Sequence, residues 1–226
     1  MKRVGLFLAI LTIVVSSCKK EVSKNVDQDK IWTYYELFYS ESENKTYATA
    51  TFRFSNESGT KLLLTDPSTI TVDGTDMEWI ESSAYYRNEF IGLKSTASFN
   101  WVDLDGNWFT NEIELRDISF QSPLDSLHFN DSITSFMWAG LPLDSNESVS
   151  LTIDGTGATD TRIFSVDTLG ATTITFDSLA LSQIDSGMIS LTLDMRYSPK
   201  LTEQTSRGGL IIGRYRPNPV QTLLTD

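Results

Sequence analysis

Along most of the chain hydrophobic and polar residues alternate with a period of two. Ala48, Ala50, Phe52 and Phe54 share one side of a strand, while Tyr47, Thr49, Thr51 and Arg53 share the other. Val149, Leu151 and Ile153 alternate with Ser148, Ser150 and Thr152. Ile189, Leu191, Leu193 and Met195 alternate with Ser190, Thr192, Asp194 and Arg196. This pattern predicts half-buried strands in antiparallel sheets with one solvated face. No window of helical length carries a capped 3.6-residue period, and only a short helical turn near Asp177 to Gln183 is expected.

Turn signals punctuate the runs at regular intervals: Asp66-Pro67, Asp73-Gly74, Asp105-Gly106, Asp154-Gly155, Gly170 and Gly208-Gly209. Strand-sized runs fall at 32–39, 47–54, 60–64, 69–72, 84–91, 97–104 and 107–115, and a second set at 133–138, 148–153, 161–166, 172–176, 187–197 and 209–216. The expected fold is all-β, with two tandem immunoglobulin-like antiparallel β-sandwiches over residues 31–121 and 122–226. One composite sandwich of about 200 residues is the alternative. Large rings are concentrated in the first half, in keeping with a boundary near Gln121-Ser122-Pro123. The run at 31–39 is apolar on both sides, with Trp32, Tyr34 and Phe38 on one and Ile31, Tyr35, Leu37 and Tyr39 on the other. It reads as a strand buried between layers.

The N-terminus has a different pattern. Lys2 and Arg3 precede an unbroken apolar run from Val4 to Val15, then Ser16-Ser17 and Cys18. Twelve helical residues cover about 18 Å, short of the roughly 30 Å hydrocarbon core, so residues 1–17 read as a signal peptide. Val15-Ser-Ser-Cys18 resembles a bacterial lipobox. That resemblance implies acylation of Cys18, cleavage before it and membrane anchoring through the attached chains. Residues 18–30 are then expected to be a polar, lipidated tether. Lys19 in the position after the Cys leaves delivery to the outer membrane open, and the side of that membrane is unresolved.

Composition narrows the chemistry. Thirty acidic against 18 basic residues give a net charge of −12 over 226 residues, which argues against nucleic acid as a partner. One Cys and one His exclude an internal disulfide and a His-built metal site. Asp103, Asp105, Asn107 and Glu114 have the spacing of a calcium loop, but Trp108 stands where the loop needs Gly. Asp105-Gly106 instead predicts a β-hairpin. His128 has no nucleophile-elbow motif to serve, and no two carboxylates stand out as a catalytic pair. No enzyme, cofactor or metal is expected.

Trp79, Tyr85 and Tyr86 lie among Glu78, Glu81, Arg87 and Asn88, the mixture of ring faces and hydrogen-bonding groups that ligand recognition uses. Four Asp-Ser/Thr-hydrophobic triplets place hydroxyls at Ser126, Ser132, Thr168 and Ser178. They resemble the O-glycan acceptor motif of exported Bacteroidota proteins. Ile31 to Thr75, Val149 to Ile153, Leu169 to Ile174 and Gly208 to Tyr215 together resemble small two-domain lipoproteins of Bacteroidota, which implies location and architecture without a chemistry. The expected function is a non-catalytic envelope lipoprotein binding a glycan, peptide or envelope protein. The alternative is a structural or accessory subunit of an outer-membrane assembly, and an envelope enzyme is the third reading.

Overall fold

The computed structural model describes residues 21–121, 126–128, 134–155, 161–176 and 184–225. The turn expected at Asp177 to Gln183 lies outside them. The first stretch of chain forms β1 (Glu21–Val22), two 3-10 turns, β2 (Ile31–Ser40), β3 (Lys45–Phe54), β4 (Leu62–Leu63), β5 (Thr69–Val72), β6 (Thr75–Asp76), β7 (Glu78–Ile80), β8 (Tyr85–Ile91), β9 (Thr96–Val102) and β10 (Trp108–Glu114). The second forms β11 (Ser119–Phe120), β12 (Ser126–His128), β13 (Thr134–Ala139), β14 (Glu147–Asp154), β15 (Thr161–Val166), β16 (Thr173–Phe176), β17 (Gly187–Tyr197), β18 (Gly209–Arg216) and β19 (Val220–Thr225). The protein is all-β, built as two sandwiches with separate hydrophobic cores.

The first core is dominated by rings. Tyr35, Phe52, Phe99 and Trp101 are almost wholly buried, and Tyr35 lies 5.0 Å from Phe99, as Phe52 does from Trp101. Each such pair contributes about 0.5–1.5 kcal/mol beyond its area. The second core is mainly aliphatic, with Val149, Leu151, Ile153, Leu191 and Leu193 facing Phe136, Trp138, Ile174 and Phe176.

The two sandwiches are not two consecutive blocks of sequence. The run at 209–216, grouped by sequence with residues 122–226, pairs in parallel with β2 along its whole length, from Gly209 beside Thr33 to Arg216 beside Ser40. Its contact with β17 covers only Met195 to Tyr197. Ile211 and Leu201 accordingly join the first core. Two glycines let β18 enter. A Cβ on Gly209 would lie 2.4 Å from the Thr33 carbonyl oxygen, and one on Gly213 would lie 2.6 Å from that of Glu114. The result is one ten-stranded sheet running through both sandwiches.

Residues 21–30 are docked rather than free, against the expectation of a tether over 18–30. Glu21 and Val22 pair with Leu62 and Leu63. Ser23 and Gln28 are buried. Gln28 Nε2 donates to the carbonyls of Ser23 and Val26 at 2.9 and 3.0 Å, and Ser23 Oγ accepts from the Thr65 N–H at 2.9 Å. Backbone pairing and polar side chains make most of this docking, with Val26 packed on the first core, so the segment carries no hydrophobic period that a sequence reading detects.

Candidate functional site

Register shows which side of the large sheet each residue takes. Directly opposed residues share a face. Met195 stands opposite Tyr215, which stands beside Tyr39, and all three point to the cored side. The smaller sheets β10-β9-β5-β6 and β11-β13-β16 supply the facing halves of the two cores. Both therefore cover the same side of the ten-stranded sheet. Among the described residues no strand or helix is laid over the other side.

On the uncovered side β2 presents Trp32, Tyr34, Glu36 and Phe38, all half-buried, whereas Ile31, Tyr35 and Leu37 are fully buried on the other. The expectation that this strand lies buried between layers holds for one face only. Trp32 and Tyr34 stack at 6.4 Å with 19° between their planes, and Phe38 and Tyr47 at 6.1 Å with 25°. Arginines crown the second pair. The Arg87 guanidinium lies 4.6 Å from the Tyr47 ring centre and that of Arg214 4.7 Å from Phe38, with Arg216 at 5.4 Å. Such contacts contribute about 0.5–2 kcal/mol each.

Carboxylates fix these cations. Arg214 reaches Glu36 and Asp194 at 3.1 Å each, and Arg216 grips Asp194 through Nε and Nη2. Burial disfavours charge on Arg214, but Glu36 and Asp194 outweigh it and raise its pKa. Burial, with Glu36 and its charge beside the phenol, pushes Tyr34 up to about 12, so it stays a neutral donor. Register places Arg53 beside Trp32, Arg87 beside Thr49 and Arg196 beside Arg214. Five of the chain's nine arginines thus stand on this one face of an acidic protein.

The residues singled out from sequence are distributed differently. Trp79 and Tyr86 meet at 5.0 Å, but Tyr86 is buried and its hydroxyl accepts from the Leu64 N–H at 2.8 Å. Trp79 is half-buried against the same core, and its Nε1 donates to Glu81. Tyr85 is half-buried one residue along β8. Trp79 and Tyr86 therefore line the core margin, whereas Tyr85, two residues before Arg87, falls on the uncovered side, so the three rings do not form one patch. Cys18, Ser132 and Ser178 lie outside the described residues. Ser126 opens β12, and Thr168 is in an exposed turn closed by the Ala171 N–H on its carbonyl. Asp103 is buried and faces its own hairpin, accepting from Asp105 N, Asn107 N and Asn107 Nδ2 at 2.8–2.9 Å.

The aromatic–arginine face was missed because alternation shows that a strand has two sides without saying which is wet. The signal was available one strand later. Tyr47, Thr49 and Arg53 mark the solvated side of β3, and pairing β2 with β3 assigns Trp32, Tyr34 and Phe38 to it.

A groove of about 360 Å³ between the sandwiches is bordered by Arg116, Ile118, Trp138, Leu141 and Glu147. Arg116 there is held by Glu114 and Glu147 at 2.7 and 3.2 Å. Among the described residues no cluster of three or more His, Cys, Asp or Glu side chains is placed to hold a metal ion.

No protein-family model matches the chain, and no curated protein does. Two solved structures are similar at low identity. One is the FN1–FN3 domains of chicken CNTN1, at 11% identity and a TM-score of 0.29, covering 84% of this chain and 63% of that one. The other is a 1.5-MDa bacterial ice-binding adhesin, at 13% identity and a TM-score of 0.24, covering 88% and 66%. The chain spans less than two-thirds of either. The architecture described above rests on its own sheets and cores.

Proposed function

We propose that this protein is a non-catalytic lipoprotein of the bacterial envelope, acylated on Cys18, that binds a glycan, peptide or envelope protein through the uncovered face of its large sheet. One observation carries the reading: half-exposed Trp32, Tyr34, Phe38 and Tyr47 stand among five arginines on a face that neither smaller sheet covers. Rings and guanidinium groups are the residue types that dominate binding energy at contact surfaces. The test is affinity capture from intact cells with the acylated protein as bait, compared with Trp32→Ser/Phe38→Ser. Loss of the captured ligand in the double variant supports the assignment; unchanged capture overturns it.

The accessory-subunit reading has one observation in its favour. Among the described residues β15 pairs only with β14, which makes its far side a candidate sheet edge, with Ile163 exposed. Capture of a membrane-channel subunit that is lost in Ser165→Pro, and kept in the ring variant, selects that role. Thr168, in its exposed turn, is the glycan acceptor we propose among the four triplets. Intact mass of the native protein against Thr168→Ala tests it, and equal masses remove it.

A further inference from the structure

Resting on the acylation of Cys18, we infer that one end of the first sandwich, the end carrying Trp108 and Phe54, lies directly on the lipid bilayer. The argument starts from chain length. Glu21 is already hydrogen-bonded strand, paired with Leu62, and only Lys19 and Lys20 separate it from Cys18. Three residue steps span at most about 11 Å.

Direction comes from the strands. β1 runs parallel to β4, and Lys61 at the start of β4 bridges antiparallel to Arg53 near the end of β3. β1 therefore begins toward the end of the sandwich where β3 finishes at Phe54. The same end holds the start of β2 and the Asp103 to Asn107 hairpin, whose Leu104 N–H donates to Gln28 Oε1. The second sandwich joins at the other end, where β18 finishes at Arg216 beside Ser40.

A headgroup layer is about 5–8 Å thick. A leash of about 11 Å exceeds that by no more than about 3–6 Å, which holds this end against the headgroups. Its surface suits the position. Trp108 is 70% exposed at the start of β10, although Asn111 and Ile113 further along the strand are buried, and Phe54 is 40% exposed at the end of β3. A Trp ring, apolar with one N–H, is favoured at the water–hydrocarbon boundary. The first sandwich then stands on the membrane like a foot, and the second is held away from it.

The test uses the full-length acylated protein in phosphatidylcholine vesicles with brominated acyl chains, and a single dye at Trp108→Cys, at Asp105→Cys on the hairpin tip, or at Leu169→Cys in the distal turn. Quenching is expected to be at least about twofold greater at 105 and 108 than at 169, because bromine acts only near contact with the chains. Twelve Gly/Ser residues inserted between Lys20 and Glu21 add a leash of roughly 20 Å and should bring 105 and 108 down toward the value at 169. Equal quenching at all three positions in vesicle-bound protein, or no response to the insertion, overturns the orientation while leaving the anchor intact. Failure of the parent protein to float with vesicles removes the anchor, and the orientation with it.

Discussion

The uncovered side of the large sheet differs sharply between its two halves. Over the second sandwich it presents half-buried Ser148, Ser150, Thr152, Ser190 and Thr192, with exposed aliphatic Ile163, Met188 and Leu223 among them and, among the described residues, no ring. Over the first it presents Trp32, Tyr34, Phe38 and Tyr47 with their arginines. Both halves belong to one sheet, and both have a covered core behind them. The second half shows that such a face folds with hydroxyl and single aliphatic side chains and without rings. The rings and guanidinium groups of the first half are the contrast on which the proposed binding role rests. The junction between the halves is held by Asp194 on β17, gripping Arg214 and Arg216 on β18.

The comparison can be broken or sharpened by substitution. The largest effect is expected on the covered side of the ring half. Tyr35→Ala removes a fully buried ring packed on Phe52 and Phe99 and should cost about 3–5 kcal/mol in denaturant unfolding. Its neighbour Tyr34→Ala, facing outward, should cost no more than about 1 kcal/mol. Equal costs would mean that the two faces are not distinct. Gly213→Val comes next. Its side chain would collide with the Glu114 backbone, and forcing β18 away from β10 should cost about 1–3 kcal/mol by the same measurement. An undisturbed midpoint would show that β18 does not need this close approach.

Asp194→Asn tests the junction. Asp194 is mostly buried and serves two guanidinium groups, so its loss should cost about 1–3 kcal/mol and make the two sandwiches unfold less cooperatively. A single unchanged transition would make the pair incidental. Phe38→Ser should reduce ligand capture and cost about 1–2 kcal/mol through its lost arginine and ring contacts, whereas Thr192→Val on the second half should leave capture untouched. A reversed result would move the binding region across the junction.

The smallest effect concerns acid. The Ser206 hydroxyl and backbone N–H, the latter 2.9 Å from Oδ1, hold the Asp29 carboxyl down at about 2, below its usual 3.8. A lowered folded-state pKa stabilises the fold above the unfolded value and loses that contribution as pH falls through the folded one. Asp29→Asn should therefore flatten the parent's loss of stability between about pH 4 and pH 2, read as thermal midpoint. Identical acid limbs would remove Asp29 from the account.

Much of the fold was legible in the sequence. The runs at 69–72, 161–166, 187–197 and 209–216 are strands with those bounds, because alternation and flanking turn residues act locally. The six-residue β19 was missed, as were the short β1, β6, β7, β11 and β12. At two or three residues the short ones leave no room for a period to register; β7 and β12 form on the edge of a longer neighbour, and β1 on the equally short β4. The ring-and-arginine face was half legible: its residues were correctly grouped on one side of the strand, and the side was misjudged. Trp79 and Tyr86 drew notice by their polar neighbours, but a neighbour in sequence is not a neighbour in space, and Tyr86 spends its hydroxyl on Leu64.

The sequence by itself determined the all-β character and the division of each strand into two faces, since both follow from side chains projecting alternately along a backbone. It also determined an acidic chain with no disulfide. Only the tertiary structure decided that β18 crosses back to complete the first sandwich, that residues 21–30 dock, and that both smaller sheets cover the same side of the large one. Those facts depend on strand pairing between residues up to about 180 positions apart, such as Thr33 beside Gly209, and pairing at that distance leaves no periodic mark on the chain.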